Sequence, residues 1–276
     1  MTRRVSLLLI CWLLASCMGG EDKDADTDDA GVVCNAGEGL FYPLEGGAWW
    51  RYRVTDPKTE VTEEKVVFTC PSGEVPLKDQ ITGYPMLSSR EDAYGHRWQE
   101  VLESGDIVRH VDEWFDAETH ARTVVEIFCP HKHRVDDGEH ACEGAAWTES
   151  HQALAIHATD WDECLGFVSQ NLEPETCEIP STLEIPDGCE LEWEIDSREL
   201  AIEAAYAEIS VTAGDFAALR VRKDGDCTRW WARGVGKVKE VTEGVEEEIL
   251  LEACLPSNGC DDPPPGGLDE MMALCP

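Results

Sequence analysis

The sequence predicts a mainly β, antiparallel fold, and three observations predict it. Apolar and charged residues alternate with a period of two, as Trp50, Tyr52 and Val54 interleave with Arg51 and Arg53, which is the pattern of a half-buried strand. Similar runs recur about every ten residues from Phe41 onward. Turn-forming residues separate them at Asp56-Pro57, Ser104-Gly105-Asp106 and Asp116-Ala117, where proline presets φ and Asp or Gly accepts turn geometry.

In chain order, strands are expected over Val61–Thr69, Arg97–Leu102, Ile107–Phe115 and Thr119–Phe128. After His157 a stretch holding Pro174, Pro180, Pro186 and Gly188 reads as a long irregular insertion, at about 157–190, pinned by Cys164, Cys177 and Cys189. Strands resume at Leu191–Ile195 and continue through Ile209–Val211, Ala217–Arg222, Thr228–Ala232, Val235–Val241 and Glu246–Leu251. Arg198–Ala207 carries alanines, glutamates and a leucine, so propensity allows a helix there while its pattern also allows a strand. Residues 41–255 are expected to form one domain. Residues 256–276 hold Pro263-Pro264-Pro265-Gly266-Gly267 and read as a Pro/Gly-rich tail, with Cys260 and Cys275 available to staple it.

The start of the chain supplies an address. Arg3 and Arg4 precede a short apolar run, Val5–Leu14. That run is too short to span a bilayer core, which takes about 20 residues, and it fits the removable apolar segment of a signal peptide over residues 1–16. Leu14-Ala15-Ser16-Cys17 resembles the bacterial lipobox. The resemblance implies that Cys17 becomes the first mature residue and carries acyl chains, so the partner at this end is a membrane. Each buried methylene contributes about 0.8 kcal/mol, and more than one chain makes such anchoring stable. Met18 in place of Asp favours the outer membrane of a Gram-negative cell under the lipoprotein sorting rule. Residues 17–40 then read as a tether. Its run Glu21–Asp29 is acidic with almost nothing to bury, so an extended, solvated spacer is expected. As an EF-hand starting at Asp24 it would need Gly at 29 and Glu at 35, where Asp29 and Asn35 stand.

Charge narrows the partners. The 276 residues carry 57 acidic against 22 basic side chains, a net charge of −35. Nucleic-acid binding needs a basic footprint, so no nucleic-acid partner is expected. Of the thirteen cysteines, Cys11 leaves with the signal segment and Cys17 is the lipid site. Those remaining meet an oxidising compartment and should mostly pair, with one left over because their number is odd. Short-loop pairs, Cys129–Cys142 and Cys164–Cys177, would each close a local excursion.

Three further segments carry a family resemblance. Tyr42-Pro43-Leu44-Glu45-Gly46-Gly47-Ala48-Trp49-Trp50-Arg51-Tyr52 resembles the opening of many bacterial lipoproteins of the myxobacterial type. Val211-Thr212-Ala213-Gly214-Asp215-Phe216-Ala217-Ala218-Leu219-Arg220-Val221 is similar to a later segment of the same group, and Trp230-Trp231-Ala232-Arg233-Gly234-Val235-Gly236-Lys237-Val238-Lys239 to its closing hairpin. The resemblance brackets residues 41 to about 252. It implies an antiparallel sheet curved into a half-barrel with one or two helices, distantly similar to the lipoprotein-carrier fold, and no catalytic activity. The cysteine content and the 157–190 insertion depart from that pattern. On this reading the doublets Trp49-Trp50 and Trp230-Trp231 place one ring each in the core, and the other rings could wall an apolar groove.

Chemical constellations are few. Cys129-Pro130-His131-Lys132-His133 and His140-Ala141-Cys142 offer imidazole and thiol ligands suited to zinc or copper. Against a metal stand the oxidising compartment, which favours a Cys129–Cys142 disulfide, and the charged run Lys132–Glu139, which reads as an exposed loop. Gly234-Val235-Gly236-Lys237 lacks the outer positions of a phosphate loop, where Trp231 and Val238 stand. Neither G-x-S-x-G nor H-E-x-x-H is present. The sequence therefore predicts a non-enzymatic envelope lipoprotein that binds a protein or an apolar ligand and uses no cofactor. The alternative is an envelope hydrolase with an acidic active site that no motif marks.

Overall fold

The computed structural model describes residues 33–35, 40–78, 81–90, 93–135, 141–260 and 262–276. The lipobox, Cys17 and the acidic run of the tether lie outside them. Strands β1 (Trp49–Thr55), β2 (Thr62–Thr69), the two-residue β3 (Gly73–Glu74), β4 (Thr82–Ser89), β5 (Ala93–Val101), β6 (Ile107–Asp116), β7 (Arg122–Val135) and β8 (Ala146–Ala158) precede helix α1 (Trp161–Asn171). Strands β9 (Cys189–Val211), β10 (Gly214–Lys223), β11 (Cys227–Ala232), β12 (Gly236–Thr242) and β13 (Glu246–Cys254) follow, and helix α2 (Leu268–Ala273) comes near the end.

The fold is mainly β, as the alternation predicts, but the half-barrel is corrected: the sheet closes into a full barrel of 12 strands. Two pairings close it. β1 is held on one edge by β2 and on the other by β13, and the free edge of β2 zips onto β4 through Val66↔Ser89 to Thr69↔Met86. Every strand of the ring then has two antiparallel neighbours, so the ring has no edge strand. β3 pairs with β4 beside the ring. Register shifts at Arg51/Tyr52, Trp98/Gln99, Arg109/Val111 and Trp230/Trp231 supply the local bends and extra twist that closure needs. Arg198–Ala207 lies within the 23-residue β9 and is strand throughout.

The segment before β1 plugs the lumen. Phe41, Tyr42 and Leu44 pack with Trp50, Tyr52, Met86, Ile107 and Trp231 in the inner core. Tyr42 sits 4.9 Å from the Trp50 ring and 5.6 Å from that of Trp231, centroid to centroid. Gly236 permits this approach. At φ 110° it takes a backbone conformation other residues resist, and a Cβ there would stand 2.7 Å from the Tyr42 ring. The same lumen also holds charges. Lys65 Nζ stands 2.5 Å from Glu248 Oε1, Lys237 pairs with Glu248 and, at 2.6 Å, with Glu240, and Arg229 reaches Glu240 at 3.0 Å. Burial opposes charge on Glu248, but Lys237 and Lys65 outweigh it and hold the carboxyl well below its usual range.

Two more apolar clusters lie on the outer wall. One packs Val111, Ile127, Leu154 and Ile156 under α1 through Cys164 and Val168. The other packs Trp49, Phe68 and Leu87 under Met271 of α2. Trp49 and Trp50 thus serve opposite faces, as neighbours in a strand must.

Disulfides fix both coverings, and they correct the expected pairs. Cys129 bonds Cys177, Cys164 bonds Cys189, and Cys142 bonds Cys34, while Cys70–Cys275 and Cys254–Cys260 secure the C-terminal segment. The short-loop reading fails for a spatial reason. Cys129 faces outward from β7 toward the insertion, whereas Cys142 forms an isolated bridge with Cys34. Cys227 is the free cysteine among the described residues, and it is buried.

Candidate functional site

A recess in which two imidazoles, a lysine and a carboxylate converge is a cleft on the outer wall, about 520 Å³ in volume, between the turn after β3, the bulged middle of β6–β7 and the end of α1. Register shifts place its polar residues. Arg109 pairs with Lys132 and Val111 with Ile127, so His110 and the β7 residues between Ile127 and Lys132 leave the ladder. His110 and His131 turn into the cleft beside Glu100, over apolar Leu77, Ile81 and Leu172. Asp160 starts α1 by accepting a hydrogen bond from the Glu163 amide, which satisfies a free N–H at the helix start. The Cys164–Cys189 link ties that helix to β9.

Lys78, 3% exposed, organises the floor. Its ammonium donates to the carbonyls of Phe128 (2.6 Å), Pro130 and Pro174 (3.3 Å), so one cation joins the middle of β7 to the segment after α1. Those bonds occupy all three ammonium donors. Burial pushes Lys78 down to about 8. His110 Nε2 lies 2.9 Å from Glu100 Oε2. The His131 ring is 5.9 Å from that of His110 and 5.1 Å from that of His133, centroid to centroid. Burial, then the neighbouring His133 and His110, lower His131 to about 4, so at neutral pH it is an uncharged donor and acceptor. The cleft can therefore hold a molecule with an apolar body and a polar group aimed at the imidazoles.

That depressed value has a consequence for acid stability. An unfolded chain protonates His131 near its ordinary 6.5, whereas the folded one resists until about 4. The unfolded state binds more protons in that window, so this contribution is complete above pH 6.5 and is lost as the pH falls toward 4. His131→Gln should flatten this part of the curve of melting temperature against pH. An unchanged slope would mean that His131 is not shielded.

The residues singled out from sequence scatter. Trp49 is 2%, Trp50 0% and Trp231 1% exposed. Trp50 and Trp231 belong to the inner core, Trp49 to the outer wall under α2, and Trp230 is partly buried with the Lys239 ammonium 5.7 Å from its ring. They do not share one open wall. His131 and His133 do come together, but His140 lies outside the described residues, and Cys129 and Cys142 are both in disulfides. Among the described residues no group of three or more His, Cys, Asp or Glu side chains is arranged to hold a metal ion. His110, Glu100 and Lys78 carried no sequence signal. They reach the cleft through a ladder irregularity and a loop, neither of which has a periodicity to read.

No protein-family model matches the chain, and none of the curated proteins does. Among solved structures, the crystal structure of a "putative lipoprotein" from Parabacteroides distasonis aligns over 78% of this chain and 98% of that one, at 12% identity and a TM-score of 0.27. A likeness at that score carries no argument about fold or function.

Proposed function

We propose that the chain is a non-enzymatic cell-envelope lipoprotein, anchored in the outer membrane of a Gram-negative bacterium by acyl chains on Cys17, which binds a small apolar ligand in the cleft beside α1. The observation that carries the envelope reading is the cross-link set. Five disulfides join ten cysteines and leave Cys227 free among the described residues, a pattern suited to an oxidising compartment. The lipobox supports the anchor. The cleft supports binding, since its volume of about 520 Å³ falls in the range of small-molecule sites and its lining mixes apolar side chains with a few polar ones. Engagement of all three Lys78 donors favours a scaffolding lysine over a nucleophilic one.

One experiment tests both parts. Cys17→Ser should abolish incorporation of labelled fatty acid and release the protein from membranes. The released protein, purified without detergent, should carry an apolar molecule detectable by mass spectrometry, and Leu172→Glu should displace it. Continued acylation of Cys17→Ser would sink the anchor. An extract free of any such molecule, or one unchanged by Leu172→Glu, would sink the ligand.

A further inference from the structure

We propose that the barrel lumen binds a single chloride ion in the cavity bounded by Lys65, Arg97, Arg134 and Lys237. This site is separate from the outer cleft, so the two proposals fail independently. The cavity encloses about 20 Å³, and its lining includes these four cations and the Tyr42 and Tyr52 rings but no carboxylate among the described residues. In a chain of net charge −35, such a lining inverts the overall sign.

The cations are under-compensated. Lys65 and Lys237 share Glu248, and Lys237 shares Glu240 with Arg229. Arg97 and Arg134 have no ion pair among the described residues. Each instead lies near an aromatic ring, Arg97 5.2 Å from that of Trp114 and Arg134 5.9 Å from that of Trp231. The Nε atoms of both are buried without a hydrogen-bond partner. Arg109 is a further buried guanidinium with unused donors. It is 6% exposed, pairs with Asp112 at 2.7 Å, and leaves Nε and Nη2 unpartnered. Burial, then the charges of Arg109, Arg229 and Arg97, drive Arg134 well below its ordinary value. A guanidinium does not shed its proton in a protein, so a counter-anion in the cavity would relieve the repulsion. Burial pushes the Tyr42 phenol up to about 12, which keeps it protonated and able to donate.

Size selects the anion. A space of this volume accepts about one water-sized particle, which fits a monatomic halide. It is too small for phosphate or for a carboxylic acid with a body attached. The charge on a halide is spread evenly, so convergent N–H and O–H donors can surround it without the paired geometry a carboxylate needs.

The full chain should melt at a higher temperature in sodium chloride than in sodium gluconate of equal ionic strength. A ligand that binds only the folded state adds stability with the logarithm of its concentration. The rise should therefore be about 3–6 °C for each tenfold increase in chloride above its dissociation constant. Bromide should substitute, whereas phosphate should behave as gluconate does. Arg134→Met should abolish the chloride dependence. Equal melting of the unaltered protein in chloride and gluconate would overturn the proposal, as would stabilisation by phosphate alone or a chloride dependence that survives in Arg134→Met. If that variant does not fold, chlorine NMR of the unaltered protein decides. Line broadening reversed by bromide supports the site, and no broadening overturns it.

Discussion

Removing the Cys70–Cys275 link by a double Cys→Ser substitution should lower the melting temperature by about 10–20 °C. The bond closes a loop with a sequence separation of 205 residues. Loops longer than 100 residues restrict the unfolded chain by about 5 kcal/mol in the chain-entropy treatment, and each kcal/mol moves the midpoint by about 2–4 °C in a protein of this size. The effect should exceed the entropy alone, because the same bond holds α2 over Trp49, Phe68 and Leu87. By contrast, Cys254–Cys260, with a separation of 6 residues, should cost about 2 kcal/mol when removed. Calorimetry of the two double variants makes the comparison. Equal losses, or no loss for Cys70–Cys275, would show that the C-terminal segment is not clamped to the barrel.

Trp50→Ala should destabilise the barrel by about 3–5 kcal/mol, and Trp231→Ala by a similar amount. Trp50 has no exposed surface, packs at a tilt against the Tyr42 ring, and donates from Nε1 to the Val235 carbonyl at 2.5 Å. Truncation leaves a cavity in the lumen plug and deprives that carbonyl of its donor, and an unpaired buried group adds its own penalty. Trp230→Ala should cost far less, since Trp230 is only partly buried. Denaturant unfolding of the three variants separates core from groove. If Trp50→Ala and Trp231→Ala unfolded at the wild-type midpoint, neither ring would belong to the core.

These expectations show where the sequence is legible. β1 could be read because it alternates over a run bounded by turn residues, and that information is local. β4 was hidden, since Gly83 and Pro85 remove the branched and aromatic signal on which strand reading depends. Closure was hidden too. It rests on β2 meeting β4, two strands whose pairing skips β3, and nothing in either segment announces it. Alternation also misleads about polarity. Lys65, Lys237 and Glu248 occupy positions that a one-sided sheet would give to solvent, yet they face the lumen, where each answers another's charge. The candidate cleft was illegible for the same kind of reason. His110 comes from a β6 bulge, His131 from β7 and Leu172 from the end of α1, so their meeting is a property of the closed barrel. The disulfide partners follow suit, because Cys129 meets Cys177 across a wall and not along a loop.

The cross-links have a consequence for the chain as a covalent graph. Cys34–Cys142 and Cys70–Cys275 bridge overlapping intervals that together cover the chain from Cys34 to Cys275. Any one peptide bond cut between those residues therefore leaves the two pieces joined by sulfur. A protease that nicks one surface turn releases no fragment; it produces a molecule of unchanged mass, apart from one added water, that only a reductant can divide. Damage in an environment rich in proteases and poor in reductants would thus be held in place, with the broken ends kept next to each other.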